Sequence, residues 1–195
     1  MTNAQGDESL DPEDGDDRMP SANGKTALLG IASAVLFGVG LLFSEAVGEV
    51  ALDIDLKPFF VPYLLIAIWR YGLTTLSVAV GAGFAEGFMD VFEGYELDDP
   101  IGFLGYVIGF TAFGWYLDRV ANNPESSRSL VIGAILGAFI QALFEGFAFF
   151  LFESSSGLYE AVLSVLGNTV THGFVLGAIP LVIIYPWLNH RIKAG

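Results

Sequence analysis

The chain has 195 residues, 53% of them hydrophobic and 15% charged, with 24 glycines, no cysteine and a formal net charge of −14. Soluble domains carry about 25% charged residues, so a soluble single-domain enzyme is excluded. The absence of cysteine also excludes disulfides, thiolate metal sites and cysteine nucleophiles.

The acids are unevenly spread. Asp7, Glu8, Asp11, Glu13, Asp14, Asp16 and Asp17 crowd the first 20 residues against a single base, Arg18. Such a stretch cannot bury enough apolar surface to fold, so residues 1–24 read as a disordered acidic tail. A secretory signal would need a short basic region at the extreme N-terminus, and none is present. Few lysines beside many carboxylates suit brine, which points to a salt-loving host such as a halophilic archaeon.

Residues 25–193 read as an all-α integral membrane domain, a bundle of six transmembrane helices. Residues 26–44 hold no charge, and 19 residues in a helix cross roughly 30 Å of hydrocarbon. The apolar stretch from Ala51 to Phe92 is about twice that length as helix, so it reads as two spans, 56–69 and 72–92. The reversal falls at Trp69-Arg70-Tyr71-Gly72, where aromatics flank a cation and glycine permits the turn. The acidic loop from Glu93 to Pro100 ends span three. Span four covers 101–117, the polar linker Val120 to Arg128 follows, and spans five and six occupy 129–152 and 161–188. With both termini cytoplasmic, seven of the eight bases fall inside (Arg18, Lys25, Arg70, Arg119, Arg128, Arg191, Lys193) and only Lys57 outside, as the positive-inside tendency requires.

Intramembrane polar residues need a reason. Glu86 and Asp90 share one face of span three, Gln141 and Glu145 one face of span five, and Asn168 and His172 one face of span six, alongside Thr169 and Thr171. A charged side chain at the bilayer centre costs a few kcal/mol, so these faces are expected to look into the bundle or a wet cavity. The functional reading is an outward-opening polar pocket rimmed by Tyr106, Phe144 and Phe147. The plainer reading is interhelical hydrogen-bond glue, with the acids snorkelling to the interface. Glu86-Gly87-Phe88 and Glu145-Gly146-Phe147 echo one another in spans of like orientation. Gly30, Ala34 and Gly38 form a small-residue ridge on span one, and Gly102, Gly105 and Gly109 line span four.

No Walker lysine motif occurs, and Ser77 and Ser164 stand outside any GxSxG, so no covalent chemistry is expected of the chain. No HExxH or CxxC spacing supports a metal. Neither a cofactor nor nucleic acid is expected as a partner.

The six-span layout, the glycine-rich third span (VAVGAGFAEGFMDVF) before an acidic loop, the glycine-rich fourth (PIGFLGYVIGFTAFGWYLDR) and the ending IPLVIIYPWLNHRI together resemble the substrate-binding S component of an energy-coupling factor (ECF) vitamin transporter. That resemblance implies capture of a vitamin-like molecule from outside, followed by toppling of the subunit when a transmembrane coupling subunit, driven by two ATPases, engages it. It implies Gly30, Ala34 and Gly38 as the docking ridge, Glu49 and Asp53 in a gating loop, and Tyr106, Gln141, Glu145, Asn168 and His172 as ligand contacts. Glu145 with Glu86 nearby, amid aromatics, suits a cationic heterocycle better than an anion. Two other classes fit the residues: a stand-alone proton- or cation-coupled transporter or channel with Glu86, Asp90 and Glu145 as a relay, and a structural membrane partner with no small ligand.

Overall fold

The computed structural model describes residues 22–47, 56–69, 72–94, 99–152 and 157–194. The acidic residues 1–21, the loop acids Glu49 and Asp53, and Arg70 lie outside the described residues. Helix α1 runs Ala22–Val47, α2 Phe60–Ile68, α3 Leu73–Glu93, α4 Asp99–Arg119 and α5 Ser127–Phe152. Helix α6 (Leu158–Asn168) passes through a π-helical segment (Thr169–Ala178) into α7 (Ile179–Ala194), and the three form one continuous rod. Residues 22–24 thus belong to α1 and not to the expected tail. No strand occurs among the described residues.

Five helical stretches are long and apolar enough to cross a membrane: 23–44, 73–92, 99–119, 127–152 and 158–194. The chain is accordingly a multi-pass helical membrane protein. The expected span 56–69 is different in kind. Its helix, α2, has nine residues and a length of about 14 Å, less than half the hydrocarbon thickness. Pro62 sits in its first turn, where a missing N–H removes no helical bond.

Neighbour contacts fix the direction of each helix. Ser77 Oγ donates to the carbonyl of Thr26 at 2.8 Å, Ser33 Oγ to that of Val78 at 2.8 Å, and Gly38 faces Ala85. Helices α1 and α3 therefore run parallel. Between them, Lys57 meets Glu86 late in α3, whereas Ile66 and Thr75 both crowd Gly114 at the other end of the bundle. Helix α2 therefore runs antiparallel to α3 and carries the chain back toward its starting end. Gly72, at φ +57°, begins α3 there, a left-handed conformation that glycine adopts without steric cost.

Glycine sets the closest approaches. A methyl group on Gly81 would overlap the carbonyl of Gly30, and Gly109 and Gly137 stand in the same relation across α4 and α5. Small residues of this kind let membrane helices associate through backbone contact where lipid supplies no hydrophobic drive. The large apolar side chains that remain exposed, such as Ile31, Phe84, Phe88, Phe147 and Ile183, lie on the outer surface of the bundle, as expected where the solvent is lipid.

The interior of the bundle is aromatic. Phe37, Phe59, Tyr63, Phe110 and Phe113 are fully buried, and successive rings meet at 5.0 Å (Phe59–Phe110), 5.3 Å (Tyr63–Phe110) and 4.4 Å (Tyr63–Phe113). The Tyr63 hydroxyl donates to the Ala134 carbonyl at 2.9 Å, so this layer is also tied to α5. Among the described residues, Lys25, Arg119, Arg128, Arg191 and Lys193 gather at the end where the described chain both starts and finishes. Lys57 is the one base among the described residues at the opposite end. At the basic end Lys193 Nζ reaches Glu125 Oε1 at 3.0 Å and ties α7 to the α4–α5 connection.

Candidate functional site

Three side chains on three helices arrive at one depth. Glu86 lies seven residues before the end of α3, Glu145 seven before the end of α5, and Tyr106 seven after the start of α4. Each is therefore about 10 Å below the helix ends. The Tyr106 hydroxyl stands 3.0 Å from Glu86 Oε1 and 3.2 Å from Glu145 Oε1. It has one hydrogen to donate, so it serves one carboxylate at a time.

The positive charge comes from Lys57, two residues before the N-cap of α2. Its ammonium donates to Glu86 Oε1 at 2.5 Å, lies 3.9 Å from Glu145 Oε1, and sits 5.6 Å from the centroid of the Tyr106 ring. Asn168, at the end of α6, completes the cluster by donating from Nδ2 to Glu145 Oε2 at 3.3 Å. The second Asn168 atom, Oδ1, is buried without a hydrogen-bond partner.

These groups line a half-open cavity of about 230 Å³, together with Asp90, Asp99, Ser164 and His172. Its floor is built of stacked and edge-on rings. His172 stacks on Phe59 at 4.8 Å and 25°, and Phe59 in turn meets the edge of Tyr106 at 5.7 Å. His172 owes its position to the π-helical segment, whose wider winding is a rare conformation that is common at functional sites. A proline within the rod and two glycines packed on neighbouring elements go with it. Pro180 cannot donate to the turn above it, and π adjustments in membrane helices are one way to re-satisfy such turns. Gly173 and Gly177 let the widened segment press against Ala138 and the Tyr63 ring.

Of the residues singled out in the sequence, Glu86, Asp90, Tyr106, Glu145, Asn168 and His172 come together here. Gln141 does not line the cavity. It is buried one turn further in on α5, with neither Oε1 nor Nε2 hydrogen-bonded. Phe147, expected on the rim, instead points outward and is 56% exposed. Phe144 packs on Gly105 at the α4–α5 contact, and Phe149 is the aromatic of α5 that lines the cavity. Gly30 is buried against Ser77 and Gly81 of α3, whereas Ala34 and Gly38 line an apolar outer groove between α1 and α3 with Phe84 and Phe88. The sequence reading missed Lys57, Phe59 and Asp99 as members of the site. For Lys57 a signal existed: it is the single base expected on its side of the membrane.

The two Glu-Gly-Phe tripeptides occupy equivalent positions. Both glutamates face the same tyrosine hydroxyl, and Phe88 and Phe147 both face outward.

No family model, curated protein or solved structure matches the chain.

Proposed function

We propose that the chain is a substrate-binding subunit of the cell membrane, with the Glu86–Glu145 cavity opening to the exterior and capturing a small cationic, amine-bearing heterocycle for uptake. The observation that carries this reading is the cluster of buried Glu86, Tyr106 and Asn168 with partly buried Lys57 and Glu145 at one depth in the bundle. A charged group costs about 2.5–3.5 kcal/mol to place centrally in a membrane helix, and packing alone would be served as well by apolar side chains. Among the described residues that line the cavity are four carboxylates (Glu86, Asp90, Asp99, Glu145) and one ammonium, Lys57, an acidic lining that favours a cation.

The remaining parts of the reading follow the layout. The return of the chain through α2, in the expected span 56–69, counts as a sixth crossing, short because α2 is enclosed by neighbouring helices. The end rich in Lys and Arg is cytoplasmic by the positive-inside tendency, which places both termini inside. Energy would come from a transmembrane coupling subunit and its ATPases, as in the ECF S components that the sequence resembles. With Gly30 packed on α3, the coupling subunit would meet the face of α1 carrying Ala34, Val35, Gly38 and Val39.

Binding of a panel of organic cations to purified protein, compared between wild type and Glu145→Gln, tests the proposal. Hydrogen bonds to a charged group are worth about 1.5–3 kcal/mol, so affinity should fall by roughly 10- to 150-fold. An unchanged affinity refutes it. A second reading, cation-coupled transport without ATPases, is favoured by the placement of one exchangeable positive charge between two glutamates. Proton movement on ligand addition in vesicles that contain only this protein would select it.

A further inference from the structure

The cavity already holds an alkylammonium, and it is the protein's own. Lys57 Nζ is within bonding distance of Glu86 Oε1, faces Glu145 Oε1 at 3.9 Å, and lies against the Tyr106 ring at 5.6 Å. That is a carboxylate pair with an aromatic wall, the combination that recognises ammonium groups. A second feature is independent of this charge. Asn168, only 9% exposed, is one of the residues lining the cavity, and its Oδ1 is a buried acceptor that no described donor serves. A buried acceptor left unserved costs about 1–3 kcal/mol, and a ligand N–H would remove that cost. Among the described residues no three His, Asp or Glu side chains are arranged to hold a metal ion.

We infer that the site is specific for primary ammonium groups, and that a ligand enters by displacing the Lys57 ammonium from Glu86 and Glu145. This rests on the reading of the cavity as a cation site and goes beyond it by naming the recognised group and its internal competitor. A primary ammonium has three N–H donors in addition to its charge. Glu86 Oε1, Glu145 Oε1 and Asn168 Oδ1 are three acceptors to receive them. A quaternary ammonium has the same charge and no donor, so it would satisfy neither Asn168 nor the directed bonds to the glutamates. Lys57 then sets selectivity by competition: a ligand whose ammonium bonds no better than that of lysine is kept out.

The test is chemical rescue combined with the sign of an affinity change. Lys57→Ala should unfold at a lower temperature than wild type, because it leaves Glu86 and Glu145 without their cation. Added n-propylammonium should restore most of the loss, and tetramethylammonium should not. Benzylammonium should bind Lys57→Gln about tenfold more tightly than wild type if lysine fills the site nine-tenths of the time, since apparent affinity scales with the fraction of competent sites. Should Lys57→Ala not fold, the double variant Lys57→Gln with Glu86→Gln removes both charges and supplies the control. Its affinity for benzylammonium should fall below that of Lys57→Gln.

Weaker or unchanged binding by Lys57→Gln overturns the displacement. Equal rescue by tetramethylammonium overturns the specificity for N–H donors. Failure of the cation site and failure of the lysine competitor give different results. Loss of wild-type binding in Glu145→Gln with no gain in Lys57→Gln keeps the cation site and removes the competitor. Rescue of Lys57→Ala by propylammonium, with no organic cation bound by wild type, keeps the ammonium cage and removes the uptake function.

Discussion

Replacing Tyr106 with phenylalanine takes away one hydroxyl and leaves the ring. The hydroxyl is buried, 3.0 Å from Glu86 Oε1 and 3.2 Å from Glu145 Oε1. The ring, 1% exposed, would keep its packing on Phe59 and Phe110 and its place beneath the Lys57 ammonium. Neutral interhelical hydrogen bonds in membranes average about 0.6 kcal/mol, while bonds to charged groups are worth about 1.5–3 kcal/mol. The partners here are carboxylates and the hydroxyl is out of water, so the larger figure governs and Tyr106→Phe should cost about 1.5–3 kcal/mol. Tyr106→Ala should cost a further few kcal/mol, because truncating a buried aromatic leaves a cavity. Reversible unfolding in mixed micelles measures both. A double-mutant cycle with Glu145→Gln should then return a coupling of at least about 0.5 kcal/mol. A Tyr106→Phe variant within about 0.5 kcal/mol of wild type, or one as unstable as Tyr106→Ala, would show that the hydroxyl does not hold the two glutamates together.

Two further predictions concern the scaffold. Gly81→Ala forces a methyl group into the Gly30 carbonyl and should destabilise the bundle by about 1–3 kcal/mol. Gly87→Ala, a turn and a half along the same helix with no atom near the added methyl, should be neutral or stabilising by up to about 1 kcal/mol; the same unfolding assay reads both. Because the chain has no cysteine, Asn122→Cys and Gly157→Cys can be probed singly with a membrane-impermeant thiol reagent. Labelling of Gly157→Cys only in right-side-out vesicles and of Asn122→Cys only in inverted ones is expected, and the reverse pattern would invert the proposed topology.

Much of this architecture is legible in the sequence because hydropathy and charge are local properties. The expected ends of spans one, three, four and five and the start of span six lie within four residues of the helices, the last helix runs six residues past the expected end of span six, and Gly72 caps the start of α3. Span two is less legible for a physical reason. A segment enclosed by other helices need not match the bilayer thickness, and α2 is apolar on every side because its neighbours are protein. The convergence of Glu86, Glu145 and Asn168 followed from their periodicity and from the cost of exposing them to lipid. Periodicity does not report how deep the cavity reaches, which separates Gln141 from Glu145, or the rotation of a helix finely enough to separate Phe147 from Phe149. The π-helical winding at His172 depends on how Gly173 and Gly177 pack against other elements, which no window of sequence contains. The pairing of Lys57 with Glu86 joins residues 29 apart through a loop, where no helical spacing applies.

The closed floor of the cavity bears on how a captured molecule could move. Below Lys57 and Tyr106 the chain places Phe59, His172, Phe110, Tyr63 and Phe113 in continuous ring contact. Beside them, the Gly109–Gly137 approach leaves no room between α4 and α5. A channel or simple relay needs polar groups or water through the whole thickness, because a charge crossing dry hydrocarbon meets a barrier of several kcal/mol or more. Here the acids stop about 10 Å in, and the next layer is aromatic apart from the buried amide of Gln141. A ligand entering from the Lys57 end therefore reaches a dead end, and passage requires a second arrangement of the bundle that the ligand or a partner protein favours. This geometry speaks for capture followed by a driven conformational change over a standing pore. It also locates the movement that such a change demands: Phe59, which follows Lys57 by two residues, must leave His172 and Tyr106 before anything held by Glu86 and Glu145 can descend.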